Sequence, residues 1–371
     1  MDKKYRVGIL GATGAVGQNY LKLLENHPWF EVTYLAASKN SAGKTYKEAV
    51  GEKWFMDSDI PINARKTIVE DANNLEAAIG RCDFLFSSFE GSKEDIQKIE
   101  IAYAERGFPV ISNNSAHRWT DDVPMIIPEI NYDDMEMIVK QRINREFNKG
   151  GGGFIVTKPN CSIQSYMIPI YALAEKGYYP RKIIVTTQQA LSGAGYPGVP
   201  SLAIMNNVIP YIGGEEWKTE EEPFKIFAGV FPKKILDDLK ISATCTRVPV
   251  IDGHTAIVSM EFGENIPSLE KIVDIWRNYR SLPQLLNLPS APISPIIYRE
   301  EEDRPQPRKD KDNGNGMAIT VGRLRKCNVL DFKFVGLSHN TNRGAAGGAI
   351  LTAELLAERG YIARWEGLHL L

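Results

Sequence analysis

The sequence predicts an α/β protein in two parts, a doubly wound parallel sheet followed by a β-rich second domain. Three observations predict it. Short apolar strands alternate with helical patterns over the first part of the chain, which argues for a parallel sheet with helices on both faces. A glycine-rich stretch, ILGATGAVG, joins the first strand to the first helix. Around residue 150 the pattern changes to longer β-rich segments.

Taken in order, YRVGIL reads as a strand, and AVGQNYLKLLENH puts Val16, Tyr20, Leu23 and Leu24 on one face of a helix. EVTYLAAS, CDFLFSSF and FPVISNN read as further strands. KEDIQKIEIAYAERG is the helix before the last of them, closed by Gly107. KGGGGF reads as a turn or exposed loop. KIIVTTQQAL, SATCTRVPV, HTAIVSMEF, MAITVGRLRKC and LDFKFVGLSH then predict a mainly antiparallel second sheet. Among them lies REEEDRPQPRKDKDNGNG, whose charge and proline content predict a solvated loop. NRGAAGGAILTAELLAERG is a small-residue start and an amphipathic helix stopped by Gly360.

A chain of 371 residues is long enough for two domains, and 43% hydrophobic with 24% charged residues is an ordinary globular composition. The formal net charge of −2 supplies no bulk attraction to nucleic acid or to an anionic membrane. No stretch approaches the roughly 20 apolar residues of a membrane span, and the start MDKKYRVGILG does not read as a signal peptide. A cytoplasmic location is expected. Cys82, Cys161, Cys245 and Cys327 lie far apart, with neither a disulfide framework nor metal-ligand spacing, so no metal is expected.

Gly11, Gly14 and Gly17 sit between a strand end and a helix start. Glycines there let the backbone approach a pyrophosphate, and the helix start offers unpaired N–H groups. The second strand ends in AASKNSAGK, without the Asp or Glu that accepts from a ribose 2′-hydroxyl. Lys39 flanked by Ser38 and Ser41 suits a 2′-phosphate, so NADP is favoured over NAD.

FIVTKPNCSIQSYM carries the chemistry. An apolar strand leads through KPN to Cys161, and Ile163, Met167 and Ile170 follow at helical spacing. Cys161 is therefore expected at a helix start, where the dipole and free N–H groups favour thiolate. A thiol nucleophile needs a base, and His254, behind the Asp252-Gly253 turn of RVPVIDGH, is the candidate among five histidines.

In this order GATGAVG, AASKNSAGK, VISNNSAHR, DDVPMIIPEIN, PNCS, TTQQALSGAG, GEEWK, RVPVIDGH, DRPQPR and HNTNRGAAGG resemble the aspartate-semialdehyde dehydrogenases, in the branch common in archaea and fungi, over nearly the whole chain. The resemblance implies reversible NADPH-dependent reduction of L-4-aspartyl phosphate to L-aspartate 4-semialdehyde, in lysine, threonine and methionine synthesis. It implies Cys161 as nucleophile, His254 as acid and base, and Gln189 as a positioner of the acyl group. Arg247 would hold the substrate carboxylate, Glu215 its ammonium group, and Lys218 and Arg118 the phosphate, with Asn113 nearby. Gly11 and Thr13, Gly14, Ala15 and Val16 would line the pyrophosphate, Ser38, Lys39 and Ser41 the 2′-phosphate, and Ser88 the adenosine. Ser192, Gly193 and Asn340 would approach the nicotinamide.

The implied architecture is a Rossmann-like domain of residues 1–158 plus 340–371, and an α+β catalytic and dimerisation domain of residues 159–339. The latter would have a mixed sheet with helices on one face. A homodimer or homotetramer is implied. The nearest rival is a CoA-thioester reductase of the same family, of the malonyl-CoA reductase kind; a non-catalytic nucleotide sensor would have no use for Cys161 and His254.

Overall fold

The computed structural model describes residues 4–147 and 152–364. Lys149 to Gly151 of the KGGGGF stretch and residues 365–371 lie outside the described residues. Two compact units divide the chain. One comprises Met1–Ile126, Asp133–Pro159 and Ala349–Leu371, the other Ile127–Tyr132 and Asn160–Gly348.

The first unit is built on β1 (Tyr5–Leu10), β2 (Phe30–Ala37), β3 (Val69–Asp71), β4 (Phe84–Ser87), β5 (Pro109–Ser112) and β6 (Phe154–Thr157). Their order is β3-β2-β1-β4-β5-β6 and every pairing is parallel. FLFS, PVIS and FIVT are buried along their whole length, as strands covered on both faces must be. Leu10, Tyr34, Leu85, Tyr103, Val110 and Ile155 belong to one continuous core. The strand order reverses between β1 and β4, so their carboxyl ends flank a crevice of the kind that takes a dinucleotide.

The glycine loop lies at that crevice. Gly11 has φ +79°, and a Cβ on it would stand 2.4 Å from the Ser88 carbonyl oxygen. A Cβ on Gly17 would stand 2.3 Å from the Gly11 oxygen, so the helix Ala15–Leu24 packs this closely on the loop only without a side chain. From Ala349 the C-terminal helix Gly347–Glu358 belongs to this unit, where Glu354 Oε1 meets His27 Nε2 at 2.8 Å.

The second unit carries β7 (Pro180–Gln189), β8 (Lys240–Arg247), β9 (His254–Phe262), β10 (Ile296–Tyr298), β11 (Ile319–Lys326) and β12 (Phe332–Ser338), in the order β10-β11-β12-β9-β7-β8. The three central pairings are antiparallel and the two outer ones parallel, so the sheet is mixed. Alternation along the strands separates two faces. Ile183, Val185, Val258, Met260, Phe332 and Phe334 are buried. The helices Met167–Ala174 and Leu269–Asn278 lie on the sheet, with the Trp276 ring 5.1 Å from that of Phe334 and its Nε1 donating to the Pro169 carbonyl. On the other face Ile184, Gln188 and Ile257 are exposed and Thr186, Ser259 and Val335 half-buried.

Two expectations need correction. The helix expected to begin at Cys161 is a 3-10 turn of four residues, Ser162–Ser165, followed by a break at Tyr166 and only then the α-helix Met167–Ala174. Pro169 is the cause. It has no N–H to give the Ser165 carbonyl, and its ring excludes a continuous helix there, so it fits only in the first turn of a helix that starts later. The charged stretch between Arg299 and Gly316 is not simply solvated either. It contains the short helix Pro307–Asp310, and Asp310 is buried. That carboxylate accepts from Arg304 Nε and the Gln306 N–H, each at 2.7 Å, and Arg299 Nε lies 3.4 Å away. A charge can leave water when it gathers this many donors, which composition alone does not reveal.

Candidate active site

In the second unit, four elements end at one place. β7 ends at Gln189, β8 at Arg247, β9 begins at His254, and the helix Glu215–Phe227 begins at Glu215. The turn bearing Cys161 is the fifth part. Cys161 Sγ lies 3.4 Å from His254 Nε2. The Ala190 N–H donates to His254 Nδ1 at 3.0 Å. A ring nitrogen that accepts carries no proton, so the neutral imidazole holds its proton on Nε2, facing the sulfur. His254 is wholly buried, which fixes the ring.

Gly193 faces this pair. A Cβ on it would fall 2.9 Å from both Arg247 Nη1 and His254 Cε1. Arg247 Nη1 donates to the Ala190 carbonyl at 2.6 Å. Burial pushes the Arg247 guanidinium down in pKa, opposed by the nearby Cys161 and Glu215.

Glu215 is the acceptor hub. Lys218 Nζ donates to it at 2.8 Å, Asn160 Nδ2 to both of its oxygens at 3.1 and 3.0 Å, and Gln189 Nε2 at 3.2 Å. Burial raises its pKa, but Lys218 and these hydrogen bonds outweigh burial and hold the carboxyl below its ordinary value. Asn160 also ties Glu215 to the turn that follows Cys161, since its Oδ1 accepts from the Ser162 N–H and hydroxyl, both at 2.7 Å. The Asn160 N–H in turn donates to buried Glu222 at 2.6 Å.

A thiol paired with an imidazole, two cations and one buried carboxylate form a site for a small acyl substrate bearing both anionic and cationic groups. Two family models match the chain, the semialdehyde dehydrogenase NAD-binding domain over residues 6–138 and the semialdehyde dehydrogenase dimerisation domain over residues 170–343. The aspartate-semialdehyde dehydrogenase of Archaeoglobus fulgidus is 45% identical over 95% of this chain and 98% of its own. That of Cryptococcus neoformans is 42% identical over 96% of this chain and 98% of its own. The chain belongs to the aspartate-semialdehyde dehydrogenase family. The crystal structure of the Candida albicans aspartate-semialdehyde dehydrogenase with NADP superposes with a TM-score of 0.86 at 37% identity, covering 97% of this chain and all of that one.

In this aspartate-semialdehyde dehydrogenase family member, the residues expected at the site fall in two sets. Cys161, His254, Gln189, Arg247, Glu215, Lys218, Ser192, Gly193 and Asn340 share the second unit. Asn340 is buried, accepting from the Gly253 N–H at 2.8 Å and donating to Ser192 Oγ at 2.7 Å. Gly11, Thr13, Gly14, Ala15, Val16, Ser38, Lys39, Ser41, Ser88, Asn113 and Arg118 belong to the first unit. Arg118 is buried there and donates to the Lys158 carbonyl at 2.9 Å and the Asn113 carbonyl at 3.2 Å. Asn113 donates its side chain to the Tyr20 hydroxyl, and its N–H to the Ser87 carbonyl at 2.9 Å. Ser88 spends its hydroxyl on the Leu10 carbonyl at 3.1 Å.

The first unit fits a dinucleotide at the level of its own atoms. Gly14, at the N-cap of the helix Ala15–Leu24, makes no side-chain cap, and the first turn holds no acid. Ser38 and Lys39 are exposed past the end of β2, with the Ser41 N–H turning back to the Ser38 carbonyl at 2.9 Å. Asn160 escaped the reading of the sequence although it stands beside Cys161 in PNCS. An asparagine before a cysteine has many bland uses, and only the fold shows that it reaches Glu215.

Proposed function

We propose that this protein catalyses the reversible NADPH-dependent reduction of L-4-aspartyl phosphate to L-aspartate 4-semialdehyde with release of phosphate, a step of lysine, threonine and methionine synthesis. The observation that carries the proposal is the Cys161 thiol 3.4 Å from an imidazole that lies beside Arg247, with Glu215, Gln189 and Lys218 joined in the same unit. The full-length relatives, named for this activity, support it.

Each residue has a chemical task. Cys161 attacks the acyl carbon and forms a thioester as the bond to phosphate breaks, and its proton leaves with the phosphate. His254 holds a proton on Nε2 beside the sulfur and hydrogen-bonds the thiolate that leaves as the aldehyde is released; the proton that restores the thiol comes from solvent and replaces the one carried off by the phosphate. NADP(H), held in the first unit by Gly11, Thr13, Gly14, Ala15 and Val16 with Ser38, Lys39 and Ser41 toward the 2′-phosphate, supplies the hydride. Arg247 grips the substrate carboxylate with its planar fork. Glu215, ionised at neutral pH, receives the substrate ammonium group in exchange for Lys218 Nζ, which then serves the phosphate together with Arg118. Gln189 orients the acyl group. In this reading the first unit is the nucleotide-binding domain and the second unit the catalytic and dimerisation domain.

A second copy of the chain is the expected partner, seated on the open face of the second sheet, and a homotetramer would be two such dimers. Cys82, Cys161, Cys245 and Cys327 form no disulfide, and among the described residues no helix is long and apolar enough to cross a membrane. Both suit the cytoplasmic location we infer.

The test supplies purified protein with NADPH and either aspartyl phosphate or malonyl-CoA and follows cofactor oxidation. Turnover with aspartyl phosphate alone is expected, and Cys161→Ala loses at least about 10³-fold of it. Full activity in that variant, or turnover with malonyl-CoA instead, overturns the assignment.

A further inference from the structure

We infer that Arg343 is a positioning residue for the nucleophile and that the segment His339–Gly344 is a brace fixing the sulfur against His254. The inference rests on Cys161 being the nucleophile. Arg343 is buried to 1% exposure and directs its guanidinium at Glu129, itself fully buried, with Nη1 to Oε1 at 2.6 Å and Nη2 paired to Oε2. The third direction of the fork is spent elsewhere: Nε donates to Gln164 Oε1 at 3.2 Å. Gln164 lies in the 3-10 turn Ser162–Ser165 that begins immediately after Cys161.

Neighbouring atoms of the same segment touch the other parts of the pair. A Cβ on Gly344 would come 2.8 Å from Cys161 Cβ, so the backbone there lies directly against the nucleophile. Asn340 accepts from the Gly253 N–H, one residue before His254, and donates to Ser192. One short segment therefore holds the cysteine turn, the histidine turn and the 191–194 turn together.

Stability alone does not account for such an arrangement. A fully buried ion pair gains little over apolar residues of the same volume, because desolvation consumes the Coulomb attraction. What it supplies that apolar packing cannot is direction. Glu129 fixes the plane of the guanidinium, the carbonyl of Glu129 is itself held by the Tyr279 hydroxyl at 2.6 Å and the Ser281 hydroxyl at 3.0 Å, and the Nε–H points at Gln164. Four residues with 3-10 bonding have little rigidity of their own. Asn160 secures the front of the turn and Arg343 its rear.

Gln164→Leu removes the link and leaves the Glu129–Arg343 pair whole; Arg343→Lys keeps the charge and removes the fork. Both are compared with the unaltered protein for kcat, for the KM of each substrate, for melting temperature, and for the rate of Cys161 alkylation by iodoacetamide against pH, located by mass spectrometry. The expected result in each variant is a kcat lowered about 10- to 100-fold with KM values within about twofold. The alkylation profile of Cys161 is expected to shift at the same time, while Gln164→Leu melts as a single folded species. Unchanged kcat and an unchanged alkylation profile overturn the inference, as does a kcat loss that leaves the profile of Cys161 unmoved. If Arg343→Lys does not fold, Gln164→Leu decides. Retained turnover in Cys161→Ala would instead sink the nucleophile assignment, and the alkylation comparison would still report on the brace.

Discussion

Gly193 is where one side-chain atom decides whether the site can exist. Its φ lies outside the left-handed range, so alanine strains nothing in the backbone; the obstacle is space, with Arg247 Nη1 and His254 Cε1 each 2.9 Å from where a methyl carbon would go. His254 cannot retreat, because its far nitrogen is held by the Ala190 N–H. Arg247 is held by the carbonyl of the same residue, Ala190. Gly193→Ala is therefore expected to displace both groups by several tenths of an ångström and to lower kcat/KM about 10- to 100-fold. Circular dichroism and melting temperature should stay close to those of the unaltered protein, since Gly193 is exposed. A variant with full kcat/KM would mean that the 3.4 Å approach of Cys161 to His254 is not the reacting geometry.

At the scale of elements, the segment from Arg299 to Gly316 carries a prediction about acid. Burial raises the pKa of the Asp310 carboxyl, but the Arg304 guanidinium and the Gln306 N–H outweigh burial and hold it below the ordinary value. A carboxyl depressed on folding contributes stability that is fully present above its unfolded pKa of about 3.9 and is lost as pH falls through the folded value. Asp310→Asn is expected to melt about 5 °C below the unaltered protein at pH 7. The difference should shrink as pH falls below about 4, because both proteins then carry a neutral group at that position. A gap that is constant from pH 7 to pH 3 would rule out the charge as its source. This segment also marks the limit of what the sequence made legible. β1, the glycine loop and the helix Ala15–Leu24 follow from local pattern, because strand period, helix period and turn glycines are all short-range signals. Cys161 and His254 were legible as candidates from their chemistry, and Gln189 only through a resemblance to known enzymes. The burial of Asp310, the reach of Asn160 to Glu215, and the grip of Arg343 on Gln164 were not, since each joins residues whose meeting only the tertiary fold decides. Pro169 moves the helix start away from Cys161, a shift that the helical spacing of Ile163, Met167 and Ile170 does not reveal.

At the scale of the whole molecule, the open face of the second sheet carries the last prediction. Register places Ile257 opposite Thr186 on β7 and Val335 on β12, and Ile184 opposite Ser259 on β9 and Ser242 on β8. This face mixes apolar and hydroxyl side chains, with Ile184 49% and Ile257 41% exposed, on strands whose other side chains form the core. A second copy applying the same face would bury both isoleucines, and a stable interface needs about 800 Å² from each partner. Light scattering should then report at least twice the chain mass of 41.5 kDa. Ile257→Lys puts a charge at the centre of the face without entering the core, and is expected to shift the mass toward 41.5 kDa with the fold intact. Activity should fall with it. Gln188 lies on the open face and its neighbour Gln189 in the site, and β9, which carries Ile257, begins at His254. Strands anchored by a partner hold their ends in place, and unpartnered strands hold them less well. An Ile257→Lys protein of unchanged mass would move the interface elsewhere. A monomer with full kcat would show instead that these strand ends need no partner to keep His254 in position.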